Sequence, residues 1–257
     1  MTFETQFQRT IRSRIRETGS PIVLAADPVG PNPRETLEAV IKALPSLASH
    51  LAAVKVGLPA LLAYPNVARH LVNTAVSHQL PAIADLKLGD VAHVNRMVVE
   101  AIADIGFSAV IFSPLPGWRG GLEGGLIAAR ELGLGALLLV FMSNPGADET
   151  FGTPVLDPQT RTPSPAYGLF CRMAVERRFD GVVVGATRPD TIHLVRELVG
   201  SLLIVAPGVG VQGGDPQQAL AAGADLLIVG RAITLEEDML AALKRILATL
   251  SSERNRK

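Results

Sequence analysis

The stretch PAIADLKLGDVAHVNRMVVEAIADIG, residues 81–106, reads as one strand followed by one helix. Its opening run is apolar until Asp85, as expected of a strand covered on both faces, and from Val91 apolar residues return at helical spacing up to Gly106. The same alternation fills the chain. Upstream strand runs are PIVLAAD (21–27) and LAAVKVG (51–57). Downstream come SAVIFSP (108–114), GALLLVFMS (135–143), GVVVGA (181–186), LLIVAPGVG (202–210) and LLIVGR (226–231). Helical segments such as LEGGLIAARELG, RPDTIHLVRELVG, DPQQALAAGA and TLEEDMLAALKRILATL lie between or after them. Eight strand–helix units predict an α/β fold, a (β/α)₈ TIM barrel in which residues 1–257 form a single domain, in preference to a doubly wound sheet.

Two segments fall outside that repeat. MTFETQFQRTIRSRIRETG, at the N-terminus, carries charges throughout and no apolar run, which predicts an amphipathic first helix and not a secretory signal. From Gly146 to about Ser164, TPVLDPQTRTPSP is too proline-rich for a helix and predicts a long irregular loop after the fifth strand, at the catalytic mouth of a barrel.

Hydrophobic residues make up 48% of the 257, enough for one large core, and the formal net charge is zero. That balance predicts neither a nucleic acid nor an anionic membrane as partner, so any phosphate must be held by local geometry. No apolar run suggests a membrane span. The one cysteine, Cys171, has no disulfide partner and sits in the apolar pattern FCRMAV, which makes it a core residue. A soluble, cytoplasmic protein is expected.

Barrel active sites form at the C-terminal ends of strands. Those ends offer Asp27, Lys55, Asp85 with Lys87, Ser143, the run Pro207–Gln212 including Val209, and Arg231. Period-two alternation puts Asp85 and Lys87 on one face, and Asp90 follows at the start of a helix. Lys55, Asp85, Lys87 and Asp90 then alternate in sign, so each charge can be buried beside an opposite one. A structural ion-pair network is the plain alternative, but four alternating charges at the functional end of a barrel favour chemistry.

A second cluster is APGVGVQGGD (206–215). Its G-x-G-x-x-G resembles a dinucleotide fingerprint, but it follows the seventh strand and lacks the acidic residue about 20 positions on. Loops after strands seven and eight of a barrel commonly bind phosphate, and the next loop supplies Gly230 and Arg231. A phosphate at this edge and a reacting group near Lys87 are expected. No His, Cys and carboxylate set has metal-site spacing. His50, His70, His78 and His193 read as surface positions on helices, and His93 carries no assigned role. Trp118 is expected to shape the rim or to meet a partner.

D-L-K-L-G-D (85–90) resembles the D-x-K-x-x-D motif of orotidine 5′-phosphate decarboxylases. LAAD at 24–27, VKVG at 54–57, MSNPGA at 142–147, PGVGVQGGD at 207–215 and IVGR at 228–231 are similar to that family's strand ends, in its order. The resemblance implies decarboxylation of orotidine 5′-monophosphate to uridine 5′-monophosphate in pyrimidine biosynthesis, without metal or other cofactor. It also implies a homodimer in which Asp90 is shared across the interface. Lys87 would protonate C6, Asp85 would face the substrate carboxylate, and Lys55 would complete the network. Asp27 would bind ribose and Ser143 the pyrimidine. Pro207, Val209, Gln212, Gly230 and Arg231 would surround the base and phosphate, Gln212 and Arg231 as the clamp, with the loop at Gln212 and the long segment after Ser143 as lids.

Relatives that share D-x-K-x-x-D and act on sugar phosphates carry a glutamate on the second strand and use Mg²⁺. Lys55 stands there in this chain, and an ammonium is no metal ligand, so a metal-dependent sugar-phosphate decarboxylase or aldolase is disfavoured. One departure remains: the family's usual proline and threonine are Ala92 and Val94. A missing ribose hydrogen bond costs about 0.5–1.5 kcal/mol, which weakens binding and leaves the chemistry. An idle nucleotide-binding paralogue is the reading that Val94 would favour.

Overall fold

The computed structural model describes residues 4–254. Numbering only the barrel strands, β1 is Ile22–Ala26, β2 Ala53–Gly57, β3 Ala82–Leu88, β4 Ala109–Phe112, β5 Gly135–Phe141, β6 Gly181–Val184, β7 Leu203–Pro207 and β8 Leu226–Val229. They pair in parallel with sequential neighbours, and β8 returns to β1 to close the barrel. All eight expected strands are present. Their apolar side chains are almost completely removed from water, Leu24, Val54, Ile83, Val110, Leu137, Val182, Ile204 and Leu227 among them. Each such burial contributes about 1.5–3 kcal/mol before entropy is counted.

The amphipathic N-terminal segment forms helix Gln6–Thr18, capped reciprocally by Thr5 and Gln8; residues 1–3 of the segment lie outside the described residues. The helix closes the end of the barrel opposite the mouth. Phe7 lies against Gly135, where a Cβ would stand 2.3 Å from the ring, and Gln8 Nε2 donates to the carbonyl of Asp180 at 2.9 Å.

Three expectations are corrected. The segment after Ser143 is not irregular: Pro145–Glu149 is a 3₁₀ turn, and Pro154–Leu156 pairs antiparallel with Pro163–Pro165. A two-stranded ribbon tolerates these prolines because each strand keeps a free edge. The buried carboxylate of Asp157 holds its tip, accepting from the backbone N–H of Gln159 and Thr160 and from the guanidinium of Arg172. The last helix starts at Met239 and not at Thr234, because the acidic run forms a turn in which Asp238 accepts from Ala241 N–H. Finally, Arg231 opens a short helix, Arg231–Thr234, and does not extend β8.

Candidate active site

Strand register builds the charged wall. Ala26 pairs with Val56 and Gly57 with Asp85, so the next level along places Asp27, Gly57 and Asp85 side by side on β1–β3. Gly57 contributes no side chain at that level. Lys55, two residues deeper on β2, extends its ammonium upward into the space: Nζ lies 3.2 Å from Asp27 Oδ1 and 3.1 Å from Asp85 Oδ2. A Cβ on Gly57 would stand 2.8 Å from Asp27 Oδ1. The fourth member is Lys87, whose Nζ lies 2.8 Å from Asp85 Oδ1.

Lys87 shares the wall with Asp85 as expected, but it does not reach it by regular strand geometry. Its φ is +45°, a region where a lysine is uncommon, and the β3–β4 register shifts between Ala84 and Leu88. Bulges of this kind re-aim side chains at functional sites, and strain at a non-glycine residue persists only where surrounding structure holds it.

The alternating array within the chain is therefore Asp27–Lys55–Asp85–Lys87, not one that ends on Asp90. Asp90 is exposed; its Oδ1 accepts the backbone N–H of Val91 at 2.6 Å, and it forms no ion pair with a described residue. The family resemblance implies only a ribose contact for Asp27, and its place in the network depends on the β1–β2 register.

Burial draws the Lys55 ammonium down, but Asp85 and Asp27 raise it more, and its pKa ends above the ordinary 10.5. Burial likewise pushes Asp85 up, while Lys55 and Lys87 outweigh it and leave the carboxyl below the ordinary 3.8. Asp85 is thus an anion, and Lys55 a cation, throughout the neutral range.

These four residues form one wall of a cavity of about 620 Å³, a volume ordinary for small-molecule sites. Ile111, Leu139, Val183 and Ile228 form its apolar floor. Ser143, Pro207, Val209, Gln212, Gly230 and Arg231 line the rest of the cavity, with Gly230 and Arg231 next to the charged wall because β8 adjoins β1, so the structure brings together every expected site residue except Asp90. Ser143 Oγ donates to Gln212 Oε1 at 2.7 Å, which joins the loops after β5 and β7 across the mouth. Gly208 makes the turn possible with φ +98°, and a Cβ there would stand 2.9 Å from Gln212 Oε1. Sequence reading missed Thr187, whose hydroxyl donates to the Ser143 carbonyl at 3.0 Å. No motif signals it, since the contact joins loops 44 residues apart.

The long segment reaches the cavity only through Asn144 and Pro145; from Gly146 on it does not line the cavity. Nor does Trp118, which is covered by the Arg177 guanidinium 4.8 Å from its ring centre. Val94 is half-buried on helix Ala92–Ile105, outside the cavity of its own chain, and His93 is exposed there. Cys171 is fully buried, and burial pushes its thiol up to about 12, which leaves it inert.

A closed parallel barrel with an ion array and a glycine-and-arginine edge at its C-terminal mouth defines a barrel enzyme for a small phosphorylated ligand. The sequence pattern of the orotidine 5′-phosphate decarboxylase / HUMPS family matches residues 20–246, and the chain belongs to that family. It is 34% identical over 218 residues to the orotidine 5′-phosphate decarboxylase of Methanosarcina barkeri, covering 84% of this chain and 90% of the relative. To the enzyme of the same name from Pyrococcus furiosus it is 38% identical over 168 residues, 65% of this chain and 71% of that one. The crystal structure of orotidine 5′-phosphate decarboxylase from Pyrococcus horikoshii superposes with a TM-score of 0.72 at 30% identity, covering 89% of this chain and 98% of that one.

Proposed function

We propose that this chain decarboxylates orotidine 5′-monophosphate to uridine 5′-monophosphate, a step of pyrimidine biosynthesis, in the cytoplasm. The observation that carries the reading is the single array in which Asp85 lies between Lys55 and Lys87 beside a nucleotide-sized cavity. Asp85, held ionised, faces the substrate carboxylate, and the crowding of two anions is relieved as carbon dioxide departs. The C6–carboxylate bond breaks, its electron pair stays on C6, and the Lys87 ammonium delivers a proton there. Fixed positive charge already in place stabilises that carbanion as it forms. Arg231 and Gln212 hold the phosphate, Asp27 the ribose and Ser143 the base, and the remote phosphate contact supplies binding energy for orientation.

The working form is a homodimer in which Asp90 enters the neighbour's site. Asp90 is exposed, and large apolar side chains also stand exposed on the segments that follow β2, β3 and β4: Leu58 and Leu62, Val91 and Met97, and Leu115. A second copy of the chain would cover them. Among the described residues no helix is long and apolar enough to cross a membrane.

A metal-dependent sugar-phosphate reaction fits the residues less well. The two carboxylates that could share a divalent cation hold the Lys55 ammonium between them instead. The deciding experiment is a spectrophotometric assay of orotidine 5′-monophosphate loss with and without the chelator EDTA. Turnover indifferent to chelation is expected; a folded protein that binds uridine 5′-monophosphate without turnover would make it the idle paralogue.

A further inference from the structure

Asn95 is a fully buried polar residue that none of the steps above uses. It lies in the first turn of helix Ala92–Ile105, and its side chain reaches back over the helix N-terminus. There it grips a single residue from both sides. Asn95 Oδ1 accepts the backbone N–H of Asp90 at 3.0 Å, and Nδ2 donates to the Asp90 carbonyl at 2.6 Å. The second N–H of the same amide donates to the carbonyl of Gly121 at 3.0 Å, in the segment that follows β4. Both donors are used and no water is needed to satisfy them, so the amide has one settled orientation. The helix cap itself, Val91, offers no side-chain hydrogen bond, so the end of this helix is organised by Asn95 from within.

The effect is on where the Asp90 carboxylate points. Asp90 Oδ1 is tied to Val91 N–H, and the backbone on either side of its Cα is tied to Asn95. An exposed aspartate would ordinarily sample several rotamers on a loop free to shift; this one is held on a fixed pedestal anchored to the next barrel unit. Organising the helix end does not by itself call for holding an exposed carboxylate in one place. A carboxylate that must meet a second subunit's substrate to within a fraction of an ångström does call for it.

We infer that Asn95 is a positioning residue for the neighbouring subunit's active site, acting through Asp90. The inference rests on the reading of Asp90 as a shared residue. Asn95→Ala is expected to lower kcat/KM by about 10- to 100-fold, the scale of a misplaced catalytic group. Asn95→Asp keeps size and acceptor but loses both donors; it is expected to behave alike and carries the test if the alanine variant does not fold.

Two readouts separate positioning from mere structural support. In an Asp90→Ala background, adding Asn95→Ala is expected to cost less than about twofold, because the group it positions is already gone. When Lys87→Ala and Asn95→Ala subunits are mixed, one site of each mixed dimer takes Lys87 from one chain and a correctly held Asp90 from the other. Activity therefore returns, as it does on mixing Lys87→Ala with Asp90→Ala. The inference is overturned if Asn95→Ala multiplies the Asp90→Ala loss, or if its mixture stays inactive while the Asp90→Ala mixture recovers. If the Asp90→Ala mixture also stays inactive, or Asp90→Ala alone keeps full activity, the shared role of Asp90 fails and the role of Asn95 falls with it.

Discussion

Lys87 Nζ lies 2.8 Å from Asp85 Oδ1, and the second oxygen of that carboxylate faces Lys55 Nζ at 3.1 Å. One carboxylate thus serves two ammonium groups of unequal accessibility. The Lys55 side chain is 7% exposed and the Lys87 side chain 41%. The buried lysine has no room to move, whereas the exposed one stands in the open cavity, where the proposed mechanism uses it as the proton donor. Lys87→Ala is accordingly expected to cost on the order of 10³-fold or more in kcat, removing proton donor and charge together. Affinity for uridine 5′-monophosphate should change little, as measured by calorimetry. Turnover near the native rate in that variant would remove Lys87 from the chemistry.

Lys55 carries the opposite expectation, a structural as well as a catalytic one. Lys55→Met leaves Asp27 without its partner and Asp85 with only Lys87. Breaking a buried pair from one side costs about 3 kcal/mol, which urea denaturation at neutral pH reads directly. The pH dependence has a definite sign. Asp85 is depressed in the fold, so its contribution is present above 3.8 and lost as pH falls through its lower folded value. Lys55 is raised, so its contribution is present below 10.5 and lost as pH rises through its higher folded value. Between those limits the array gives a flat stability profile. In Lys55→Met the penalty should shrink as pH falls toward the carboxylate range, since protonation removes the charge left without its partner.

Most strands were legible because they are buried on both faces and therefore written as apolar runs, from IVLAA of β1 to LLIV of β8, while β2 and β3 are apolar only up to Lys55 and Asp85. Their C-terminal ends then named most of the cavity lining without further information. What the sequence hid are relations across the chain. Asp27 joins the ion array because β1 lies beside β2 in a particular register, and nothing in LAAD states that register. The ribbon at Pro154–Pro165 forms because Arg172, 15 residues from Asp157, satisfies a carboxylate in its tip, and proline content alone suggested the reverse. Lys87 shares a wall with Asp85 as alternation predicted, but through a bulge and a positive φ that alternation does not contain.

Gly57 tests the register argument at one atom. An alanine Cβ there would stand 2.8 Å from Asp27 Oδ1 and 3.6 Å from Lys55 Nζ. Lys55 tolerates that distance and Asp27 does not, so Gly57→Ala should displace the Asp27 carboxylate while leaving the Lys55–Asp85–Lys87 line in place. A loss of about tenfold in kcat/KM is expected, with most of it in KM, as removing one ribose contact would give. Asp27→Ala should show the same split, and the double variant should cost little more than either alone.

Arg231 separates binding energy from chemistry. It stands exposed at the start of its short helix, on the side of the cavity formed by β7 and β8, and the barrel closes so that β8 adjoins β1 and the charged wall follows. In the proposed function this guanidinium grips the phosphate, remote from the bond being broken. Arg231→Ala is expected to raise KM by about 10- to 100-fold, with a smaller fall in kcat that reflects orientation energy no longer supplied. The check is the phosphate-free nucleoside orotidine as substrate. If Arg231 acts through the phosphate, the variant and the native protein should process orotidine at matching, slow rates. A KM for the full substrate left unchanged by the substitution would instead place the phosphate elsewhere in the cavity, and the Gly208–Gln212 turn would be the next place to look.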